Sequence, residues 1–235
     1  FSLSAYKYIF STDTIFRALF VSIFVTVVGT LWSMLLSTMT AYGLSRRDLV
    51  GRSQITFLII FTMLFNGGII PTFIVVQKTG LLNSLWALII PVSINVFNMI
   101  ILKTFFQNLP PALEESAKID GAGDFKILFK IIIPCSLPAI ATISLFYAVT
   151  YWNTYMHAIL YLSDSTKWPI QVLLRQIVVL ATGMAYDSAE YTDIPPPSQS
   201  VKMAVIVVAT VPVLLVYPFL QKHFAKGALL GSVKE

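Results

Sequence analysis

The residues with the clearest chemical pattern lie in a polar stretch, 109–134, that separates two long apolar stretches. It begins with two prolines, which suit the first turn of a helix because the missing N–H groups have no partner there. Glu114 and Glu115 follow at the positive end of the helix dipole, and Gly121 suits the left-handed residue that ends a helix. The pattern predicts a helix of roughly ten residues. A water-exposed helix in an otherwise apolar chain is expected to bind a partner.

Side chains within this stretch predict how the helix is held and presented. Glu114 and Lys118 are one turn apart and are predicted to pair. Asp124 is predicted to cap a second short helix, which three apolar side chains anchor: Phe125, Leu128 and Phe129. The face offered to the partner is expected to be built mostly from small side chains: Leu113, Ser116, Ala117 and Asp120.

The composition is that of an integral membrane protein. Hydrophobic residues make up 57% of the chain and charged residues 11%, whereas a soluble domain carries about 25% charged residues. The net charge of +5 does not indicate nucleic acid binding, because the basic residues lie in short loops between apolar runs and report orientation instead. Cys135 is the only cysteine, which excludes an internal disulfide and leaves no metal-binding spacing. We expect no metal site.

Five apolar stretches reach the roughly 20 residues that a membrane-spanning helix needs: 15–44, 54–76, 85–104, 138–162 and 201–220. Lys and Arg are concentrated in the loop after the first span, around 109–134 and in the tail at 221–235. The positive-inside rule therefore places these in the cytoplasm and the loop at 163–200 outside. Five spans with a cytoplasmic C-terminus leave Phe1 outside, so we expect an earlier first span to be missing from this chain.

Two of the predicted spans carry polar interruptions. Asn66 and Gly67, followed by Gly68 and Pro71, weaken the second span, and backbone groups freed there must be covered by protein or face a water-filled cavity. A substrate pathway and a packed kink are both compatible with this pattern. Asn95 and Asn98 in the third span are predicted to share a helix face that points into the bundle, where they line the pathway or bond a neighbouring helix.

Other features of the spans also leave alternatives open. Gly29, Ser33, Ser37 and Ala41 recur every four residues and favour close packing of another helix. An aromatic and amide cluster in the fourth span suits contact with sugar rings and hydroxyls: Tyr151, Trp152, Asn153 and Tyr155. Anchoring at the membrane boundary or core packing explains the same residues. The loop around 168–175 is predicted to meet an outside partner or to lie on the membrane surface as a helix.

The polar stretch resembles the EAA motif of binding-protein-dependent ABC importer permeases. Glu115-Ser116-Ala117 is followed after three residues by Gly121, and after nine more by a stretch from Ile131 to Pro134. Ser116 and Ile133 are mild departures from that pattern. The triplet Asp120-Gly121-Ala122 further resembles carbohydrate permeases of the maltose type, as does Trp152-Asn153 in the fourth span.

Two other segments extend the resemblance over nearly the whole chain. The C-terminal tail resembles that of the family at Lys226, Gly231, Ser232 and Lys234, although Glu235 stands where the family usually ends in Gly. The segment 65–71 is similar to a branch linked with oligosaccharides and complex polysaccharide fragments.

The resemblance implies an all-α membrane protein with the type I ABC importer transmembrane fold, in a prokaryotic cell membrane. It implies a half-channel that pairs with a second related permease, two ATPase subunits and an extracellular sugar-binding lipoprotein. The ATPase would be contacted by Glu115, Ser116, Ala117, Asp120, Gly121, Ile131 and Pro134, and by the tail residues. The chain has no GxxxxGK[ST] sequence, so the partner ATPase is expected to use the ATP and magnesium, and this chain to bind no cofactor.

Two other classes of function compete with an ABC permease. An ion-coupled secondary transporter normally places acidic residues inside its spans, and here every Asp and Glu lies in a loop or terminus by sequence. A membrane enzyme is disfavoured because no GxSxG or HExxH sequence occurs.

Overall fold

The computed structural model describes residues 5–7, 13–65, 67–181 and 199–231, and in 178–181 and 216–231 it describes the backbone only. Within these ranges the regular elements are helices, as the all-α prediction requires. In chain order they are α1 Asp13–Ser45, α2 Arg52–Leu64, α3 Ile69–Lys78, α4 Trp86–Ile89, α5 Val96–Gln107, α6 Ala112–Ile119, α7 Asp124–Ile127, α8 Ile133–Cys135, α9 Leu137–Trp152, α10 Met156–Tyr161, α11 Ile170–Ala181 and α12 Gln199–Gly231. Short 3-10 helices at Ile90–Val92 and Ser165–Lys167 and a π-helix at Leu128–Ile132 complete the set.

The long helix α1 is the centre of the bundle. Its 33 residues span about 50 Å, well beyond the roughly 30 Å of a bilayer's hydrocarbon core. It packs against α9, α5 and α11, while α12 packs against α9 and α11. Among the described residues it is the one unbroken helix long and apolar enough to cross a membrane, and bent helix pairs raise the number to as many as four.

The bends fall inside stretches that hydropathy treats as continuous. The second predicted span is α2 and α3, which meet at 114° because the chain turns through Gly68 with a φ of 87°, where side chains are disfavoured. The third is α4 with its 3-10 turn, followed by α5 at 54°. The fourth continues past Trp152 only after an unwound segment at 153–155.

Hydrogen bonds from α9 compensate the break in the third span. Asn95 caps α5, with its side-chain oxygen accepting from the Asn98 N–H at 3.1 Å. The Asn95 N–H itself donates to the Tyr147 hydroxyl at 2.9 Å, and the Tyr151 hydroxyl donates to the Ile89 carbonyl at 3.2 Å. Two tyrosines thus satisfy backbone groups on both sides of the break, as burial in an apolar environment demands.

This geometry corrects the prediction for the asparagine pair. Asn98 is buried in the bundle, as expected, but Asn95 is exposed and precedes the first helical residue. The two side chains therefore do not share a helix face. The reason is local, since an Asn that caps a helix lies in extended backbone rather than in the helix.

The small residues of α1 receive α9, which confirms the packing interpretation. Ser33 and Ser37 are fully buried, and their hydroxyls lie 2.7 Å from the Tyr151 hydroxyl and 2.6 Å from the Tyr147 hydroxyl, respectively. Gly29 lies directly under the Tyr151 ring, so a Cβ built at Gly29 would approach it to 2.8 Å. α1, α9 and the broken third span are therefore locked together by two Ser–Tyr pairs.

Gly29→Ala is expected to destabilise the protein by about 1–3 kcal/mol, because the added methyl forces the buried Tyr151 ring to move. Gly43→Ala is the matched control on the same helix, since no heavy atom lies within 4 Å of its added Cβ. The measurement is the midpoint of thermal unfolding in detergent. Equal midpoints for the two variants would contradict the close approach.

Candidate coupling site

The polar stretch folds into two short helices at one end of the bundle. α6 has eight residues, fewer than the predicted ten, and begins directly after Pro111. It ends as predicted at Gly121, whose φ is 72°. The Gly121 N–H donates to the Lys118 carbonyl at 3.0 Å and the Ala122 N–H to the Ala117 carbonyl at 2.9 Å. These bonds are typical of a glycine-terminated helix.

The second helix anchors the first through only one of the three residues predicted, Leu128. Ile127, Leu128 and Ile132 are buried in the core, whereas Phe125 and Phe129 are exposed. The π-helical turn of Leu128–Ile132 shifts which side chains face inward, and the sequence pattern alone does not reveal such a turn.

The prediction that Asp124 caps this helix is wrong. Gly123 occupies the cap position in extended backbone, and no side chain caps it. The Asp124 carboxylate instead accepts a hydrogen bond from Arg46 at 3.0 Å. Arg46, which is distant in sequence, therefore binds a carboxylate that local rules predict to cap the helix.

Arg46 is the hub of an ion cluster that joins the end of α1 to the polar stretch. Its Nη1 lies 3.3 Å from the Glu114 carboxylate and 3.0 Å from that of Asp124, and it donates to the Tyr42 hydroxyl at 2.7 Å. Its Nε donates to Oδ1 of Asp48 and its Nη2 to Oδ2 of Asp48, each at 3.3 Å. The planar guanidinium suits such a role because its five N–H donors spread in fixed directions.

The same cluster overturns the predicted pair within α6. Glu114 pairs with Arg46 rather than with Lys118, and the Lys118 ammonium lies 4.0 Å from Asp48. The Arg46 side chain is only 13% exposed, so its attraction for carboxylates is screened less by water than that of a surface lysine. Two of the three charged residues of α6, Glu114 and Lys118, thus bind the loop that follows α1.

The pKa values of Arg46 and Asp48 favour the charged forms of both groups. Burial acts to lower the pKa of Arg46, but the hydrogen bond to Asp48 and the charge of Glu114 outweigh burial, so this pKa is raised. The hydrogen bond from Arg46 also lowers the pKa of the Asp48 carboxyl. A carboxyl with a lowered pKa contributes its stabilisation at neutral pH and loses it only as the pH falls through that pKa.

The exposed face of α6 differs from the predicted docking face. Ala117 is 6% exposed because it packs into the core, while Ile119 is 87% exposed at the tip of the helix. Glu115, Ser116 and Asp120 are also exposed. Glu115 and Ile119 are one turn apart, so the helical spacing could have identified Ile119, which the motif comparison passed over.

An open cleft of about 510 Å³ lies beside the ion cluster. Arg46, Asp48 and Asp124 contribute its polar wall, and Leu49, Val50, Phe125 and Leu128 contribute apolar surface. Val50 is 92% exposed and Phe125 is 68% exposed. The apolar tip at Ile119 therefore has exposed apolar neighbours on the same end of the molecule.

The remaining predicted coupling and tail residues differ in where they lie. Ile131 packs against the core and Pro134 is exposed. Lys226 and Gly231 fall within α12, where only the backbone is described. Ser232 and Lys234 lie outside the described residues.

The predicted pathway residues also differ in how exposed they are. Tyr151 and Trp152 are buried within the chain's own packing, whereas Asn153 and Tyr155 are exposed in the unwound segment between α9 and α10. Gly67 is exposed between α2 and α3, and Asn66 lies outside the described residues.

The stretch 168–175, which is predicted to meet an outside partner or to lie on the membrane surface, forms the start of a helix that packs against α1. α11 begins at Ile170, which is fully buried, and the Ile170 N–H donates to the Ser22 hydroxyl of α1 at 2.8 Å. Trp168 is held just before it by a bond from its ring N–H to the Leu162 carbonyl at 3.2 Å. α11 is therefore a packed part of the bundle.

Comparison with known proteins gives consistent matches over the whole chain. The sequence model of the family described as "Binding-protein-dependent transport system inner membrane component" matches residues 19–229. The chain is 71% identical over 235 residues to the polygalacturonan/rhamnogalacturonan transport system permease protein YtcP of Bacillus subtilis (strain 168), covering 100% of this chain and 82% of that protein. It is 34% identical over 218 residues to the diacetylchitobiose uptake system permease protein NgcG of Streptomyces coelicolor (strain ATCC BAA-471 / A3(2) / M145), covering 91% of this chain and 68% of that protein.

A solved structure matches the fold. It is a chain of a bacterial ABC transporter involved in the import of the acidic polysaccharide alginate, with a TM-score of 0.86 and 34% sequence identity. The match covers 95% of this chain and 80% of that chain.

Arg46→Ala is expected to release α6 from the end of α1, because three carboxylates lose their common partner. Amide hydrogen exchange in α6 should rise roughly five- to tenfold, a modest value because two of those carboxylates are exposed. Arg47→Ala is the control, since Arg47 is an exposed arginine next in sequence. Equal exchange in both variants would show that the cluster does not hold the helix.

Proposed function

We propose a function that starts from the family of this chain. The chain belongs to the binding-protein-dependent transport system inner membrane components. It is the membrane-spanning permease subunit of an ATP-driven ABC importer. It forms half of a translocation pathway for oligosaccharides, and an ATPase drives it by binding the exposed face of α6.

The observation that carries the proposal is the asymmetry of α6. One side is fixed to the chain by the buried Ala117 and by the Glu114–Arg46 ion pair. The other side presents Ile119 to water. Covering such a large apolar side chain with a partner is energetically favourable, because it removes apolar surface from water. A helix held on one side can also transmit a push received on the other.

The partners follow from the same assignment. The chain works with a second related permease, two ATPase subunits and an extracellular sugar-binding lipoprotein in the prokaryotic cell membrane. The sequence lacks a phosphate-binding GxxxxGK[ST] loop, which supports ATP and magnesium being used by the ATPase subunits. This chain is then a non-catalytic subunit that binds no cofactor of its own.

The substrate class is taken from the relatives. The 71% identical protein is named for polygalacturonan and rhamnogalacturonan transport, and the solved structure concerns an acidic polysaccharide. Polygalacturonan is a polymer of a uronic acid, a sugar that bears a carboxylate. We therefore propose short uronate-containing oligosaccharides as the substrate of this chain.

Ion-coupled transport is the competing mechanism. Such transporters carry ionisable acids in their spans. Among the described residues, the carboxylates lie at the start of α1, in loops or in the polar stretch. This distribution supports the ATP-driven mechanism.

Reconstitution of the complete complex in liposomes tests the mechanism. Uptake of a uronate oligosaccharide should require the binding protein and ATP on the side of the ATPase. Uptake driven by a sodium or proton gradient without ATP would reject the proposal.

Ile119→Glu is expected to weaken binding of the ATPase subunits by more than about tenfold, because a carboxylate replaces an apolar anchor at the centre of the contact. The measurement is the amount of ATPase that co-purifies with the two permeases at increasing dilution. Ile119→Leu keeps an apolar tip and is the matched control. If both variants retain the ATPase equally, α6 does not carry the contact.

A further inference from the structure

One cation–aromatic pair, Arg175 with Tyr155, is used neither by the coupling site nor by the core. The guanidinium of Arg175 in α11 lies over the ring of Tyr155, with its central carbon 5.1 Å from the ring centroid. Tyr155 is 37% exposed, and Arg175 is exposed as well. The pair therefore presents an aromatic ring and a positive charge together on the surface of this subunit.

The pair belongs to segments that are part of, or directly follow, helices packed along α1. Tyr151, four residues before Tyr155, packs on Gly29 near the middle of α1. Ile170, five residues before Arg175, is bonded to Ser22, well inside the same helix. An exposed arginine on the flank of an apolar bundle is costly against lipid and normally faces a water-filled cavity or a protein partner. The position thus points to the interior of the assembled importer.

The charge of Arg175 is not balanced by the part of the chain that the structure describes. The ion pairs between described residues involve Arg46, Lys118 and Lys167, and none of them includes Arg175. Contact with a ring also leaves the N–H donors of a guanidinium available, because the attraction comes from the ring's electrons rather than from hydrogen bonds.

The unwound segment adds a polar neighbour. Asn153 is exposed two residues before Tyr155, and its Nδ2 donates to the Val149 carbonyl at 2.8 Å. That bond fixes the amide while its oxygen keeps its acceptor capacity. The segment 153–155 is not helical, because α9 ends at Trp152 and α10 begins at Met156.

We propose that Arg175 and Tyr155 form a subsite for the carboxylate-bearing sugar unit of the substrate during translocation. The guanidinium binds the carboxylate through two parallel N–H bonds, and the tyrosine ring contacts the apolar face of the sugar ring. This inference rests on the proposed function, because it names the unit of the uronate oligosaccharide that the pathway recognises.

The test compares two substrates in the reconstituted complex of permeases, ATPases and binding protein. One is a uronate trisaccharide and the other is its methyl ester, which has the same length without the charge. The quantity measured is the ratio of initial uptake rates, acid over ester. The ratio does not depend on how much complex is inserted, and the binding protein contributes equally to every variant.

Arg175→Gln is expected to lower this ratio by about tenfold, the value of one charge-assisted contact. Arg175→Lys keeps the charge without the planar fork and should lie between Arg175→Gln and the native protein. Tyr155→Leu should slow uptake of both substrates, because the ring that contacts the sugar is lost.

The outcomes separate this inference from the proposed function. ATP-dependent uptake with the native ratio in Arg175→Gln would overturn the subsite and assign Arg175 to anchoring in the assembly. No ATP-dependent uptake of either trisaccharide by the native complex would overturn the proposed function itself.

Discussion

The ion cluster around Arg46 is the interaction on which the mechanical role of this chain depends. One guanidinium at the end of α1 holds Asp48 in its own loop and Glu114 and Asp124 in the polar stretch. An exposed carboxylate contributes little by itself, but all three carboxylates share one largely buried guanidinium. The cluster therefore makes α6 and the end of α1 one body, although 78 residues separate Arg46 from Asp124.

The unit formed by α6 and the end of α1 is joined to the rest of the bundle by close packing. α1 is joined to α9 by two Ser–Tyr pairs and by the contact of Gly29 with Tyr151. The same tyrosine hydroxyls bond the backbone on both sides of the break before α5. A displacement of α6 is thus passed to α1, α9 and the third span together. Packed interiors respond to displacement as units because they are close-packed and bistable rather than soft.

Local rules predicted the features that depend on neighbouring residues. Gly121 ends α6 because only a glycine readily adopts its left-handed backbone, and the small residues of α1 receive a helix because side-chain size sets how closely helices approach. The fold class follows from the apolar composition. The resemblance at 115–134 indicated the family that the comparisons show.

Long-range competition explains the failures. Glu114 and Asp124 were assigned to partners within their own helices, but Arg46, distant in sequence, holds both. Hydropathy does not reveal the break before α5, because it averages over the whole stretch, whereas tyrosines of α9 satisfy the backbone groups at the break. The motif points to Ala117, which faces the core, and not to the exposed Ile119.

Distance measurement between spin labels tests the central claim, that α6 moves with the end of α1. Labels are placed at the exposed positions Arg47 and Ser116, with Cys135 replaced by serine, in the complete importer. The nucleotide-free state is compared with an ATP-bound state held by an ATPase variant that does not hydrolyse ATP. The account predicts one narrow distance distribution that is the same in both states. A distance that changes between the states would contradict it, because α6 would then move independently of α1.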